Sequence, residues 1–270
     1  MSDDADRLLS GQAWHDFCDR LKGVGDTILG EDFPGGSRER TEGFRYLTRL
    51  MSYAMRMELE CSDPRFPQIC GYEEPWNQWG GPNPDNTYLR APIHPDHAYR
   101  VWGNVSGMRQ IIASLQEGDM QLHQYGVYSE QGLDDWKLGP DGELELFVSR
   151  ERPDGAENWM ELHPDARIFQ VRIYLSDWVN DASPTLHIER IGAEGAAPPP
   201  PEPAAIAGGL DRAAHWVEQS ASYWNQYTSK AWERATPNAV SPARSTPGGA
   251  DNILYGSCFW ELADDEALVV

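Results

Sequence analysis

A chain of 270 residues with 22 Lys plus Arg against 43 Asp plus Glu carries a net charge of −21. Charge of that sign repels phosphate backbones and anionic lipid surfaces within a Debye length, so neither nucleic acid nor a membrane is an expected partner. With 40% hydrophobic and 24% charged residues the composition is that of a globular chain long enough to bury a sizeable core.

The N-terminus "MSDDADRLLSGQAW" is acidic and has no apolar run, so no signal peptide or membrane span is expected. The first sixty residues read as helical. Trp14, Phe17, Leu21, Val24 and Ile28 recur at helical spacing, "FPGGSRER" breaks the pattern, and Phe44, Leu47, Leu50, Met51, Ala54 and Met55 line one side of a second helix. Cys61 and Cys70 are close enough to bridge a loop. Together with Cys18 and Cys258, and without CxxC spacing, they read as reduced thiols of a cytoplasmic protein. These observations make residues 1–80 an N-terminal helical region.

From Tyr88 onward the pattern becomes that of short strands: "TYLRAPI", "AYRVWGNV", "RQIIASLQ", "ELELFVSR", "ARIFQVRIYL" and "TLHIERI". Turn signals such as "HPDH", "GPDGE" and "NDASP" separate them, which argues an antiparallel sandwich over a parallel sheet. The proline run "GAEGAAPPPPEPAA" reads as an extended connector into a helical stretch near Ile206 to Arg234. On that stretch Leu210, Ala214, Val217, Ala221, Trp224 and Ala231 form one seam, widened by Trp216, Tyr223 and Tyr227. After "TPNAVSPARSTPGGA", the segments "ILYGSCFWEL" and "EALVV" read as a closing strand pair. The expected fold is therefore α+β. It comprises N-terminal helices and, over 81–270, an antiparallel, jelly-roll-like β-sandwich with a helical insertion at about 203–236 before the final strands.

Three blocks, "PNPDNTYLRAPIHPDHAYRVWGN", "NWMELHPDARIFQVRIYLSDW" and "LYGSCFWELADDEALVV", taken in this order, resemble the bacterial family called domain of unknown function 1214, which is often paired with the domain of unknown function 1254. The resemblance covers roughly Pro82 to Val270. It implies a mainly β, jelly-roll-like domain and no settled activity, so it carries over no catalytic residues. Members of that family usually continue through further strands after the last block. Here that would leave an edge near Ala267 to Val270, predicting self-association or docking of another chain at the C-terminal edge strand.

The candidate site residues come from two stretches. "PNPDN" is a rigid Asx-type turn before a strand, sufficient as punctuation. It also suits an arm in which Asn83, Asp85 and Asn86 orient a ligand hydroxyl between Tyr88 and Trp102. In "IFQVRIYL" the residues Arg172 and Tyr174 alternate with an apolar set, as His187 and Glu189 do in "TLHIER". If those strands paired, Arg172, His187 and Glu189 would share a face. His187 would then shuttle a proton, Arg172 would hold a carboxylate or oxyanion, and Asp85 would assist.

The histidines of "HPDH" read as the surface tip of a hairpin, so no metal is expected. The absence of GxSxG, of a phosphate-cradling glycine loop and of GxGxxG gives serine-hydrolase, ATPase and Rossmann readings no support, and no cofactor is expected. Two readings follow. One is an enzyme doing cofactor-independent acid–base chemistry (hydrolysis, elimination or isomerisation) on a small hydroxylated or carbocyclic molecule. The other is a carbohydrate- or small-molecule-binding module in which some of the 11 tryptophans and 11 tyrosines are stacking platforms, not merely core.

Overall fold

The structure, a computed structural model, describes residues 3–31, 33, 35–181, 184–246 and 253–269. Three helices open the chain: α1 (Asp3–Leu9), α2 (Gln12–Leu29) and α3 (Ser37–Met55), the last running on through a π turn at Arg56–Glu60. Helix α2 buries Ala13, Phe17, Leu21, Val24 and Ile28. The stripe thus ends on Ala13 and not on the predicted Trp14, which is half-exposed and leans on Phe17 with ring centroids 5.6 Å apart. A four-residue step back from Phe17 stays on the packed face, and a small side chain fits there. On α3 the buried residues are Leu47, Leu50, Tyr53 and Ala54, while Phe44 sits at the rim, 40% exposed.

Among the described residues nine strands follow: β1 (Cys70–Gly71), β2 (Asn86–Pro92), β3 (Tyr99–Asn104), β4 (Gln110–Gln116), β5 (Val127–Gly132), β6 (Glu143–Ser149), β7 (Trp159–Glu161), β8 (Ile168–Tyr174) and β9 (Thr185–Arg190). They build a five-stranded sheet in the order β1-β2-β8-β4-β5 and a four-stranded sheet in the order β7-β6-β3-β9. All pairings are antiparallel except β6 with β7. Period-two alternation points one set of side chains from each sheet into a single buried cluster. Ala91, Ile111, Ala113, Leu115, Phe169, Val171 and Ile173 of the first sheet meet Val101, Leu144, Leu146, Val148, Met160 and Ile188 of the second there.

Two predicted connections differ. "HPDH" does follow β2 and precede β3, but those strands lie in different sheets, so the segment crosses between sheets and is not a hairpin tip. Strands β8 and β9 likewise belong to different sheets, which separates Arg172 from His187 and Glu189.

The chain divides into two compact units, residues 1–220 and 221–270. Helix α4 (Pro203–Arg234) contributes Ala207, Leu210, Ala213, Ala214, Trp216, Val217 and Ser220 to the buried part of the first unit. There it is clamped to the N-terminal helices by Arg7 to Asp211 (3.0 Å) and Arg20 to Glu218 (2.8 Å).

In the second unit the expected closing strand pair does not form among the described residues. "ILYGSCFWEL" instead faces residues 238–244, through Asn238 N–H to Phe259 C=O, Ser241 N–H to Ser257 C=O and an isolated Arg244–Tyr255 bridge. Pro242 removes a ladder donor from that partner, and the contact holds to one isolated bridge. The residues Ala263–Glu266 of the next block make a turn, and no ladder involves Ala267 to Val269. Val270, Ala182 and Ser183 of the "NDASP" turn, and the end of the "TPGGA" stretch lie outside the described residues. Among the described residues no helix is long and apolar enough to cross a membrane.

Candidate functional site

The same alternation that fills the shared core sends the other side chains of the five-stranded sheet toward α3, the segment after β1 and the first half of α4. Register sets the pairs: Asn86 opposite Tyr174, Tyr88 opposite Arg172, Arg90 opposite Gln170. Asn86, Tyr88, Arg90 and Gln170 are all buried. A polar layer buried in this way must be internally satisfied or left open to a ligand or water.

One half of the layer is satisfied. Arg90 Nη1 donates to Asp119 Oδ1 at 2.9 Å, and Trp216 Nε1 donates to Asp119 Oδ2 at 2.7 Å. The Arg90 guanidinium also lies over the rings of Tyr53 and Tyr72, 5.4 and 5.3 Å from their centroids. Tyr53, Trp79 and Trp216 pack together with centroids 4.7 to 5.9 Å apart, forming an aromatic wall. The Gln170 amide, turned as its neighbours require, accepts from Arg172 Nε at 2.9 Å and donates to Gln116 Oε1 at 2.6 Å.

The other half is less satisfied. Tyr72 N–H donates to the Tyr88 carbonyl at 3.2 Å, extending the β1–β2 ladder by one residue and placing Glu73 at the edge of the layer. Asn77 fixes the segment beyond it, its Oδ1 accepting from the backbone of Glu74 (3.3 Å) and Trp79 (3.0 Å). Burial pushes the Glu73 carboxyl up to about 7; Arg172 and Arg90 pull it down and Asp119 pushes it further up. Burial also holds the Tyr53 and Tyr72 phenols well above their ordinary range. The Tyr53 hydroxyl, Asn86 Oδ1 and both amide atoms of Gln121 are buried with no protein partner among the described residues. A carboxyl raised toward neutrality by burial can take and return a proton near neutral pH.

The predicted site residues therefore part company. Arg172, Tyr174, Asn86 and Tyr88 share this layer, and the Asn83 N–H donates to the Tyr88 hydroxyl at 3.2 Å. Asn83 and Asp85 themselves are exposed, and Asn83 Oδ1 accepts from the Asp85 N–H at 2.9 Å. That is the Asx turn.

Trp102, His187 and Glu189 lie on the outer face of the four-stranded sheet. There the Trp102 and His187 rings stack at 5.3 Å, and the Arg100 guanidinium sits 4.9 Å from the Trp102 ring centroid. Arg100 also bonds Glu145 at 2.7 Å and reaches Glu189 at 3.4 Å. Arg100, Trp102, Glu145 and His187, with Lys137 and Asn104, line an open groove of about 630 Å³.

No family model matches the chain, and no curated protein matches it. Among solved structures, an uncharacterised protein from Burkholderia cenocepacia shares 34% sequence identity with it and superposes with a TM-score of 0.85, over 97% of this chain and 72% of that one. The chain belongs to that protein's family. A Vibrio parahaemolyticus protein, at 13% identity and TM-score 0.32 over 67% of this chain and 52% of its own, carries no argument.

For this member of the Burkholderia protein's family, three site residues escaped sequence reasoning: Glu73, Arg90 and Asp119. Arg90 was legible, since it continues the two-residue stride of Asn86 and Tyr88. Glu73 and Asp119 sit in irregular segments, where no period announces which side chain turns inward.

Proposed function

We propose that the helix-covered face of the five-stranded sheet is an active site for cofactor-independent acid–base chemistry on a small hydroxylated or carbocyclic molecule. The observation that carries this reading is the buried polar layer in which register sets Arg172 opposite Tyr88 and Asn86 opposite Tyr174, with the Glu73 carboxyl, pushed up by burial to about 7, at its edge. Glu73 takes the proton-transfer role that spacing suggested for His187. Arg172 stabilises the oxyanion or enolate that develops, and Tyr88, Asn86 and Tyr174 orient the substrate. Hydrolysis, elimination and isomerisation all fit these groups. The resemblance to domain of unknown function 1214, a jelly-roll-like sandwich with α4 as its helical insertion, and a cytoplasmic setting belong to the same proposal. So does self-association, or docking of another chain, at the C-terminal segment that includes the exposed Val269.

A second reading rests on its own observation. The stacked Trp102–His187 pair on an open groove suits a sugar ring held without chemistry. One experiment separates the two. A thermal-shift screen of sugars, terpenoids and aromatic acids finds ligands, and each hit is then incubated with protein in D₂O and followed by NMR. Deuterium uptake or bond cleavage that disappears in Glu73→Gln supports the enzyme. Binding without either, lost in Trp102→Ala and kept in Glu73→Gln, overturns it in favour of the binding module.

A further inference from the structure

We propose that Cys61 and Cys70 are a modification site: a dithiol that closes to an intramolecular disulfide on meeting a small-molecule disulfide oxidant. Both cysteines are free and buried, at 7% and 6% exposure, and their Sγ atoms lie 3.1 Å apart. A disulfide bond is about 2.05 Å long, so closure asks for a movement of about 1 Å and no rearrangement of elements.

The pair does not meet by chance fluctuation of a loose loop. Cys61 ends the π turn that follows α3, and Cys70 opens β1 at the edge of the five-stranded sheet. The residues between them are pinned from outside. The Tyr99 hydroxyl, on a fully buried ring, donates to the Pro64 carbonyl at 3.0 Å, and Arg190 Nε donates to the Arg65 carbonyl at 3.3 Å. Asp63 and Arg65 add a turn, with the Arg65 N–H on Asp63 Oδ1 at 2.9 Å. Two thiols held in this way have a high effective concentration toward each other.

An oxidant has a way in. Cys61 lines an open cavity of about 450 Å³ together with Met57, Glu58, Arg90, Asp119 and Arg212. Burial, then the neighbouring Cys70, pushes the Cys61 thiol up to about 11, so the attacking thiol rests protonated and slow, and reaction speeds up as pH rises. The Cys61 thiolate attacks one sulfur of the oxidant and expels the first small thiolate. Cys70 then loses its proton and attacks the Cys61 sulfur of the mixed disulfide, expelling the second. Two protein thiols and one small disulfide become one protein disulfide and two small thiols. Two electrons pass to the oxidant, and the two protons end on the expelled thiolates. The bond would tie the end of the helical segment to β1, two residues before Tyr72 and three before Glu73, but the proposal does not depend on the catalytic reading.

The test uses the full chain, reduced, freed of reductant and incubated natively with glutathione disulfide, with samples alkylated and mapped by mass spectrometry. Exposed Cys18 serves as an internal monitor of oxidant strength. The expected result is a loss of about 2 Da relative to the reduced chain, apart from any adduct on Cys18 or Cys258. After tryptic cleavage behind Arg65, two peptides should remain joined only through Cys61 and Cys70, and be released by reductant. In Cys70→Ser the same treatment should leave a stable glutathione adduct on Cys61. If Cys61 and Cys70 both remain alkylatable while Cys18 is modified, or if the wild-type pair stops at the mixed disulfide, the proposal is wrong.

Discussion

The sharpest energetic consequence of the polar layer concerns Asp119. Its two oxygens serve two buried donors, Arg90 and Trp216, and the side chains of Arg90 and Asp119 are only 7% and 11% exposed. Asp119→Asn keeps the shape and removes the charge. The Arg90 guanidinium is then buried without its counter-ion, a change that costs about 3–5 kcal/mol. One amide oxygen still accepts from one of the two donors, while the other donor faces an NH₂ group, adding about 1–3 kcal/mol. The rings of Tyr53 and Tyr72 lie against the cation with or without Asp119 and so cancel in the difference. The net expectation is a loss of at least about 4 kcal/mol, a large share of a typical 5–15 kcal/mol total. Urea unfolding followed by tryptophan fluorescence and far-ultraviolet circular dichroism measures it, with exposed Asp85→Asn as a control expected to change by under about 0.5 kcal/mol. Replacing both partners, Arg90→Met with Asp119→Leu, should recover the part of the loss that comes from the unpaired cation, because well-packed apolar side chains substitute for a buried pair, while Trp216 Nε1 still lacks its acceptor. A loss below about 1 kcal/mol in Asp119→Asn, or a double variant as unstable as the single one, would refute the reasoning.

The Glu73 carboxyl holds its proton to about pH 7 in the folded chain and releases it near 4.5 when unfolded, so the folded state binds more protons between those values and loses stability as pH rises through them. Glu73→Gln should therefore match the wild type near pH 4 and exceed it by about 1–3 kcal/mol at pH 8; a difference that stays flat in pH-dependent urea melts would remove Glu73 from its assigned environment. Gly103→Ala places a Cβ 1.8 Å from the Thr185 carbonyl oxygen across the β3–β9 ladder, so strand separation should destabilise the chain by about 3 kcal/mol in the same assay, and a near-neutral result would mean the two strands are not so closely apposed. On any substrate that emerges from the screen, Glu73→Gln should lower turnover by about 10²-fold or more while His187→Gln leaves it within about twofold, and the reverse order would return the chemistry to the four-stranded sheet.

Local physics made much of the architecture readable. Helical spacing located α2 and α3 because a buried face repeats every three or four residues whatever covers it, and Phe17, Leu21, Val24 and Ile28 are the buried residues it promised. Alternation in "IFQVRIYL" separated Phe169, Val171 and Ile173, which enter the core, from Gln170, Arg172 and Tyr174, which do not. Proline and glycine clusters marked the connector before α4 and the turns between strands.

What alternation cannot say is which strands are neighbours. It assigns a side chain to one of two faces and is silent about the sheet. Tertiary structure put β8 between β2 and β4, and β9 beside β3, so Arg172 met Tyr88 and Asn86 while His187 met Trp102 on the far side of the core. It alone also brought in Glu73 and Asp119, whose segments are irregular. A carboxylate's environment depends on what lies across space from it, and for these two that is set by chain crossings remote in sequence, the hydrogen bond from Trp216 to Asp119 among them. The C-terminal blocks had the apolar, β-branched composition of strands, but composition gives only a preference. A strand needs a partner edge with free donors, and the proline at 242 left "ILYGSCFWEL" with one isolated bridge in place of a ladder.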